Sequence, residues 1–316
     1  MILGKNKINN LKIKKYKHQI TICGNDAGAA YHLLEIFKKN QKNSKLCLDG
    51  PALEIFKRNY KNINNFNFED CLFESKYLIS GTGWSSNLEH NLRKLAFEKG
   101  LFNIAIIDHW VNYFERFKRG KEVILPNEIW VTDIYAFKKA EEVFPEISIK
   151  KIPNVWLENI KSQVIREKRK YTILPKTLPS KLLYLTEPVR SKWGGVEQGE
   201  FQSLRYFLLN LEKLSQINLI CSFDKIKEIT IKLHPSEESS KYDNLINEFN
   251  EKVPIQITKH NDLSDVLIES EACFGCETQA LVVSSACGLP TFSSMPPWAP
   301  SCRLPQSEII HLRNVI

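Results

Sequence analysis

The sequence predicts two α/β domains in tandem, each a doubly wound parallel sheet, with a cleft between them. Three observations carry this expectation. Short β-branched runs alternate with segments of helical periodicity through both halves of the chain, the pattern of strands joined by crossover helices. The alternation is interrupted once, by a charged stretch followed by the proline-punctuated segment 174–180 (LPKTLPS). The length of 316 residues exceeds one ordinary core and suits two domains of roughly 100–200 residues each. The division reads as a Rossmann-like domain over 1–156, a linker over 157–180 and a second Rossmann-like domain over 181–316.

In the first half the predicted strands are 19–23, 45–48, 77–79, 102–107, 128–132 and 147–152. Ala30, Leu33, Leu34 and Phe37 share one face of the first helix, and Leu88, Leu92, Leu95 and Ala96 one face of a later one. That later helix has legible ends: Ser86 and Glu89 form a capping-box pattern, and Gly100 supplies a left-handed stop after Lys99. In the second half strands are expected at 181–185, 228–233, 254–258, 272–274 and 291–292, with helices at 200–215, 241–251, 263–270 and 278–286. No internal repeat at a solenoid period is visible.

Composition narrows the function classes. Hydrophobic residues at 43% and charged residues at 25% are near the soluble globular average, which excludes wholesale disorder and a fibrous repeat. No apolar run approaches the ~18 residues of a spanning helix, and 1–19 carries lysines without an apolar stretch or cleavage site. The eight cysteines (Cys23, Cys47, Cys71, Cys221, Cys273, Cys276, Cys287 and Cys302) lie scattered in apolar segments, the pattern of reduced core residues, so a cytoplasmic address is expected. Cys273 and Cys276 form a C-x-x-C with no second pair at zinc spacing, and core packing is the expected role, with no metal. The net charge of +8 favours anionic partners. Its clusters are Lys5, Lys7, Lys12, Lys14, Lys15 and Lys17; Arg116, Lys118, Arg119 and Lys121; and the stretch 161–170, all readable as solvated surface. No nucleic-acid module is recognisable, so nucleic acid is not an expected partner.

Ligands of open α/β sheets bind beyond the carboxyl ends of the strands, so the loops there hold the candidates. After the first strand, Gly24, Asn25, Asp26 and Gly28 open a helix with small residues and free amides, without dinucleotide-fingerprint spacing. Asp26 reads equally as an N-cap and as a functional carboxylate. The third strand runs into Gly81, Thr82, Gly83 and Trp84, and the fourth into Asp108, His109 and Trp110. An acid, an imidazole and a large aromatic together can position a sugar ring and take a proton; the alternative is a hydrogen-bonded Asp108–His109 pair under a packed Trp110. The capping-box role accounts for Glu89.

In the second half, the loop after the first strand offers Arg190, Lys192, Gly194 and Gly195, suited to phosphate oxygens. The next strand ends in His234, Pro235, Ser236 and Glu237, where an imidazole beside a proline can donate to a phosphate. Farther on, Glu277 and Thr278 open a helix that carries Ser284 and Ser285 and stops at Gly288 before Pro290, so that Glu277 and the turn amides can hold a ribose or phosphate.

These residues resemble something known. The tandem layout, the His234-Pro235 segment and the turn-helix segment from Gly275 to Pro290 resemble the GT-B superfamily of sugar-nucleotide enzymes. The resemblance implies a GT-B-like fold with the nucleotide sugar on the second domain and the acceptor on the first. The His-Pro step is similar to one in bacterial sialyltransferases and Kdo transferases that serves the donor phosphate, which implies that role for His234. The segment beginning at Asp26 also resembles the first loop of sugar-nucleotide hydrolases and 2-epimerases. Where many retaining GT-B transferases carry a ribose-binding Glu, this chain has Val282 and Val283, so Glu277 or Ser284 and Ser285 would substitute.

The leading expectation is thus a metal-independent glycosyltransferase with no cofactor, using a CMP- or UDP-linked sugar and a surface-glycan or lipid-linked acceptor. Asp26, Asp108 or His109 would activate the acceptor hydroxyl. Gly24, Asn25, Gly28, Gly81, Thr82, Gly83, Trp84 and Trp110 would contact the acceptor. A basic first-domain face can rest on the anionic inner face of a membrane. The alternatives are a sugar-nucleotide hydrolase or 2-epimerase of the same fold, and a noncatalytic nucleotide- or glycan-binding protein.

Overall fold

Strands covered by helices on both faces are buried along their length and read as apolar runs. The strand Ile20–Gly24 (β1) is of this kind, buried at every position. The computed structural model describes residues 19–84, 86–172, 180–214, 226–258 and 262–316. The lysine cluster of 5–17, Cys221, part of the expected linker (173–179) and the end of the helix expected over 200–215 lie outside them. The chain divides into two compact units, Met1–Trp156 and Leu157–Ile316.

In the first unit β1 leads into Ala27–Asn40 (α1), Ser44–Leu48 (β2), Gly50–Asn59 (α2), Tyr77–Ser80 (β3), Leu88–Glu98 (α3) and Phe102–Ile106 (β4). A short antiparallel hairpin, Lys118–Arg119 (β5) and Glu122–Val123 (β6), precedes Glu128–Val131 (β7), Ile134–Val143 (α4) and Ser148–Lys151 (β8). The six-stranded sheet is parallel in the order β2-β1-β3-β4-β7-β8. Ile20, Ile22, Leu33, Leu46, Phe56, Ile79 and Ile104 form the core between β1–β4 and the first two helices. Val155–Thr172 (α5) is a continuous helix, and its Trp156 stacks on Tyr31 at 4.4 Å.

The second unit continues with Ser180–Leu185 (β9), Gly199–Leu209 (α6), Leu211–Leu214 (α7), Ile226–Lys232 (β10), Asp243–Asn247 (α8), Ile255–Thr258 (β11), Leu263–Glu269 (α9), Ala272–Gly275 (β12), Gln279–Ala286 (α10), Thr291–Ser293 (β13) and Ile309–His311 (β14). Its sheet is parallel in the order β11-β10-β9-β12-β13-β14. Aromatic packing dominates its core: Tyr184, Phe207, Phe274 and Phe292 follow one another with centroid separations of 5.3, 4.4 and 5.0 Å.

The structure departs from the sequence pattern at a few places. The helix expected over 200–215 breaks at Asn210, whose Nδ2 donates to the Tyr206 carbonyl at 2.7 Å and competes with the backbone ladder. The helix expected over 241–251 shrinks to α8 because Lys241 and Tyr242 are drawn to the Glu237 carboxylate. The α2 helix, the β5–β6 hairpin and β14 were not expected. Among the described residues no helix is long and apolar enough to cross a membrane.

Candidate functional site

Each sheet reverses its winding once, and doubly wound folds bind ligands in the crevice beyond the strands at that reversal. In the first unit the reversal falls between β1 and β3, which brings the loops 24–26 and 81–84 together. Glu89 joins them: it is 1% exposed, and its carboxylate accepts from Asn25 N at 3.1 Å and Gly83 N at 2.5 Å. The capping box therefore does not form; Asn87 is the N-cap, without a side-chain bond to the helix amides, and Ser86 Oγ accepts from Leu88 N. Glu89 turns inward because two loops present backbone donors that burial would leave unpaired. Burial raises its pKa against the pull of Arg93, a buried guanidinium that donates to Ser80 Oγ at 3.0 Å and Gly81 O at 2.8 Å. Burial in turn lowers Arg93 to about 10.

The small residues of these loops serve that packing. A Cβ at Gly81 would run into Glu89, and one at Gly83 would lie 2.9 Å from Asp26 Cβ. Gly24, Asn25 and Thr82 are buried as well, with Thr82 Oγ1 donating to Ile106 O at 3.0 Å. These five build the floor of the crevice. Gly28 is half-buried in the first turn of α1. Trp84 is 48% exposed, whereas Trp110 is pinned through its Nε1 to Asp133 Oδ2 at 2.8 Å.

Asp26 caps the first helix and is also electrostatically strained. Its Oδ1 accepts from Ala27 N at 2.7 Å as the cap of α1, while burial first and the Asp108 carboxylate second push its pKa upward. Asp108 faces Arg116, with Oδ1 to Nη1 at 3.4 Å. Arg116 is a correction to the surface-charge reading of its cluster: it is buried, and it also donates to Val111 O at 3.2 Å and Thr82 O at 3.3 Å. His109 Nδ1 accepts the Trp110 N–H at 2.9 Å, so the ring proton sits on Nε2 and the side chain is a donor there.

In the second unit the reversal lies between β9 and β12, and the loops after them are tied by four charges. Arg190 pairs with Glu187 and, at 2.6 Å, with Glu277; Glu277 also binds Arg303, with Oε1 to Nη2 at 2.5 Å. Glu187 Oε1 accepts from Glu277 N at 2.7 Å. Burial would raise Glu277, but the bonds from Arg303 and the charge of Arg190 outweigh it and hold the carboxyl below its ordinary range. Arg190 and Glu277 thus brace each other. Glu187 and Arg303 escaped the sequence reading because they meet Glu277 from 90 and 26 residues away along the chain.

His234 sits at the end of β10 in a fixed turn. Its N–H donates to Glu237 Oε2 at 2.8 Å and to Thr186 Oγ1 at 3.0 Å. Glu237 is buried and also accepts from Lys241 Nζ at 2.8 Å and Tyr242 Oη at 2.7 Å, so it anchors the loop. His234 Nδ1 accepts the Ser236 N–H at 3.2 Å, which puts the ring proton on Nε2, and burial lowers the pKa so that the ring is neutral near pH 7. Lys192, Gly194 and Gly195 are exposed, as is Pro235. Thr278 caps α10, and Ser285 is half-buried. Ser284 is fully buried and accepts from Thr291 Oγ1 at 3.0 Å, which places it in the core. Cys273 and Cys276 are buried free thiols, and burial pushes Cys273 up to about 12.

The fold has counterparts among solved structures. The chain is similar to the UDP-GlcNAc 2-epimerase of Methanocaldococcus jannaschii, with 12% identity, 87% of this chain and 83% of that one covered, and a TM-score of 0.56. The chain has the GT-B fold. More distant likenesses are MurG of Acinetobacter baumannii (10% identity, 87% and 78% covered, TM-score 0.47) and the wall teichoic acid polymerase TagF (14% identity, 90% and 71% covered, TM-score 0.47). No protein-family model matches the chain, and no curated protein matches it in sequence. The GT-B fold places the winding reversals, and hence the two crevices, at the ends of β1, β3, β9 and β12.

Proposed function

We propose that the protein is a metal-independent glycosyltransferase that moves a sugar from a CMP- or UDP-linked donor to a surface-glycan or lipid-linked acceptor. The observation that carries this reading is His234. Its Nδ1 is occupied by a backbone donor, so the neutral ring presents an Nε2–H at a strand end, the arrangement that suits a phosphate oxygen. In the reaction the anomeric C–O bond to the donor phosphate breaks and a bond to the acceptor oxygen forms. The negative charge on the departing phosphate meets the His234 Nε2–H and the exposed Lys192 ammonium. The acceptor proton passes to Asp26, whose raised pKa brings it nearer the value at which a general base is effective. Exposed Phe114, Lys118 and Lys121 around the β5–β6 hairpin suit contact with an anionic membrane that carries a lipid-linked acceptor.

A thermal-shift panel of CMP, UDP, GDP, CDP, ADP and dTDP on the wild type and His234→Ala tests the reading. Stabilisation by one nucleotide, lost in the variant, is expected. No shift with any nucleotide at millimolar concentration contradicts it. Turnover of a nucleotide sugar without acceptor moves the assignment to hydrolase or 2-epimerase, and binding without turnover to a noncatalytic protein.

A further inference from the structure

The second unit holds a cavity of about 500 Å³ along α6, and His234, Arg190 and Glu277 are not among its lining residues. Its size falls within the ~300–1,000 Å³ of small-ligand sites. Three large apolar side chains converge on it while remaining open to solvent: Val196 is 90% exposed, Leu209 61% and Trp298 60%. Scattered exposed apolar residues are ordinary, but a group of them around a concavity marks a binding surface.

The indole of Trp298 is fixed in place. Its Nε1 donates to Gln202 Oε1 at 2.6 Å, the Gln202 amide donates to Glu197 O at 2.9 Å, and the Tyr206 ring meets it edge-on at 6.0 Å. The opposite character lines the same cavity: Arg205 bridges Glu197 at 2.7 Å and Glu248 at 2.5 Å, and both carboxylates remain substantially exposed. Among the described residues no hydrogen-bond partner is placed on the Tyr206 hydroxyl. An immobile aromatic face beside exposed carboxylates, a guanidinium and a hydroxyl matches a ligand with an apolar C–H face and a rim of hydroxyl groups. An acyl chain would have to strip water from the Arg205 cluster without replacing it. An added peptide strand would need a sheet edge, and the cavity is lined by α6 and two loops.

We propose that this cavity is a carbohydrate-binding subsite, with one ring of a glycan stacked on Trp298 and its hydroxyls bonded to Glu197, Arg205 and Tyr206. It calls on neither His234 nor Lys192, although its wall includes Gly194 and Gly195 of the loop weighed for phosphate contact.

The test is binding of the purified full chain to a glycan microarray, followed by fluorescence titration with the glycans that bind. Wild type is expected to hold a defined subset. Trp298→Ala lowers affinity about tenfold or more, and His234→Ala leaves it unchanged. Should Trp298→Ala lower the melting temperature, Val196→Glu, at a position 90% exposed, provides a rim variant that spares the core and is likewise expected to weaken binding. Absence of binding to every glycan, or equal binding by folded Trp298→Ala and Val196→Glu, overturns the proposal.

Discussion

Asp26 shows how one side chain carries two demands. As N-cap it satisfies an α1 amide, a role asparagine fills equally well. As a carboxyl crowded by burial and by Asp108, its pKa stands above the ordinary 3.8. An acid raised in the fold stabilises it only while protonated, so its contribution is complete below about pH 3.8 and is lost as pH rises through the raised value. Asp26→Asn is therefore expected to raise the melting temperature at pH 7, with the gap over wild type closing as pH falls toward 4, while turnover drops by roughly 10²–10⁴-fold. Scanning calorimetry between pH 4 and 8 checks the first half; a wild type more stable than the variant at pH 7 contradicts it. The cap was legible in the sequence, because an aspartate at a strand-to-helix turn is a favoured N-cap. The burial of Arg116 was not, since its partner Thr82 comes from a loop 34 residues back along the chain.

Between residues and fold stand the loops that present them, and their rigidity comes from buried carboxylates. Glu237 accepts from Thr186, His234, Lys241 and Tyr242 and fixes the turn on which the imidazole rides. Truncating a buried charge strands its partners at a cost of about 3–5 kcal/mol. Glu237→Ala should lower the melting temperature by roughly 10 °C and weaken nucleotide binding, whereas Tyr242→Phe, which removes one donor, costs about 1 kcal/mol. Denaturant titration of the two variants checks the order; equal stabilities would remove Glu237 from its anchoring role. The sequence pointed to Glu237 and Glu277 through their places at strand ends, but not to the buried bonds by which they hold their loops. Glu89 shows the converse, since its local pattern was sufficient for a cap and only the approach of two distant loops drew it inward.

At the scale of the molecule, the alternation of strand and helix patterns made two parallel doubly wound sheets legible, because parallel strands buried on both faces must be apolar throughout. Their strand orders were not, since pairing depends on which crossover passes which face. Those orders, 2-1-3 onward in the first unit and 3-2-1-4 onward in the second, locate the two crevices. They explain why so many of the candidate residues gather at four loops. The central claim is that the turn after β10 takes a nucleotide phosphate on His234. ³¹P NMR of CMP, UDP and CDP titrated with the full chain tests it most directly. The account predicts that one nucleotide's phosphate resonance shifts and broadens with wild type and returns to its free position with His234→Ala at unchanged melting temperature. Phosphate resonances that stay at their free positions with wild type, or respond equally to both proteins, would contradict it.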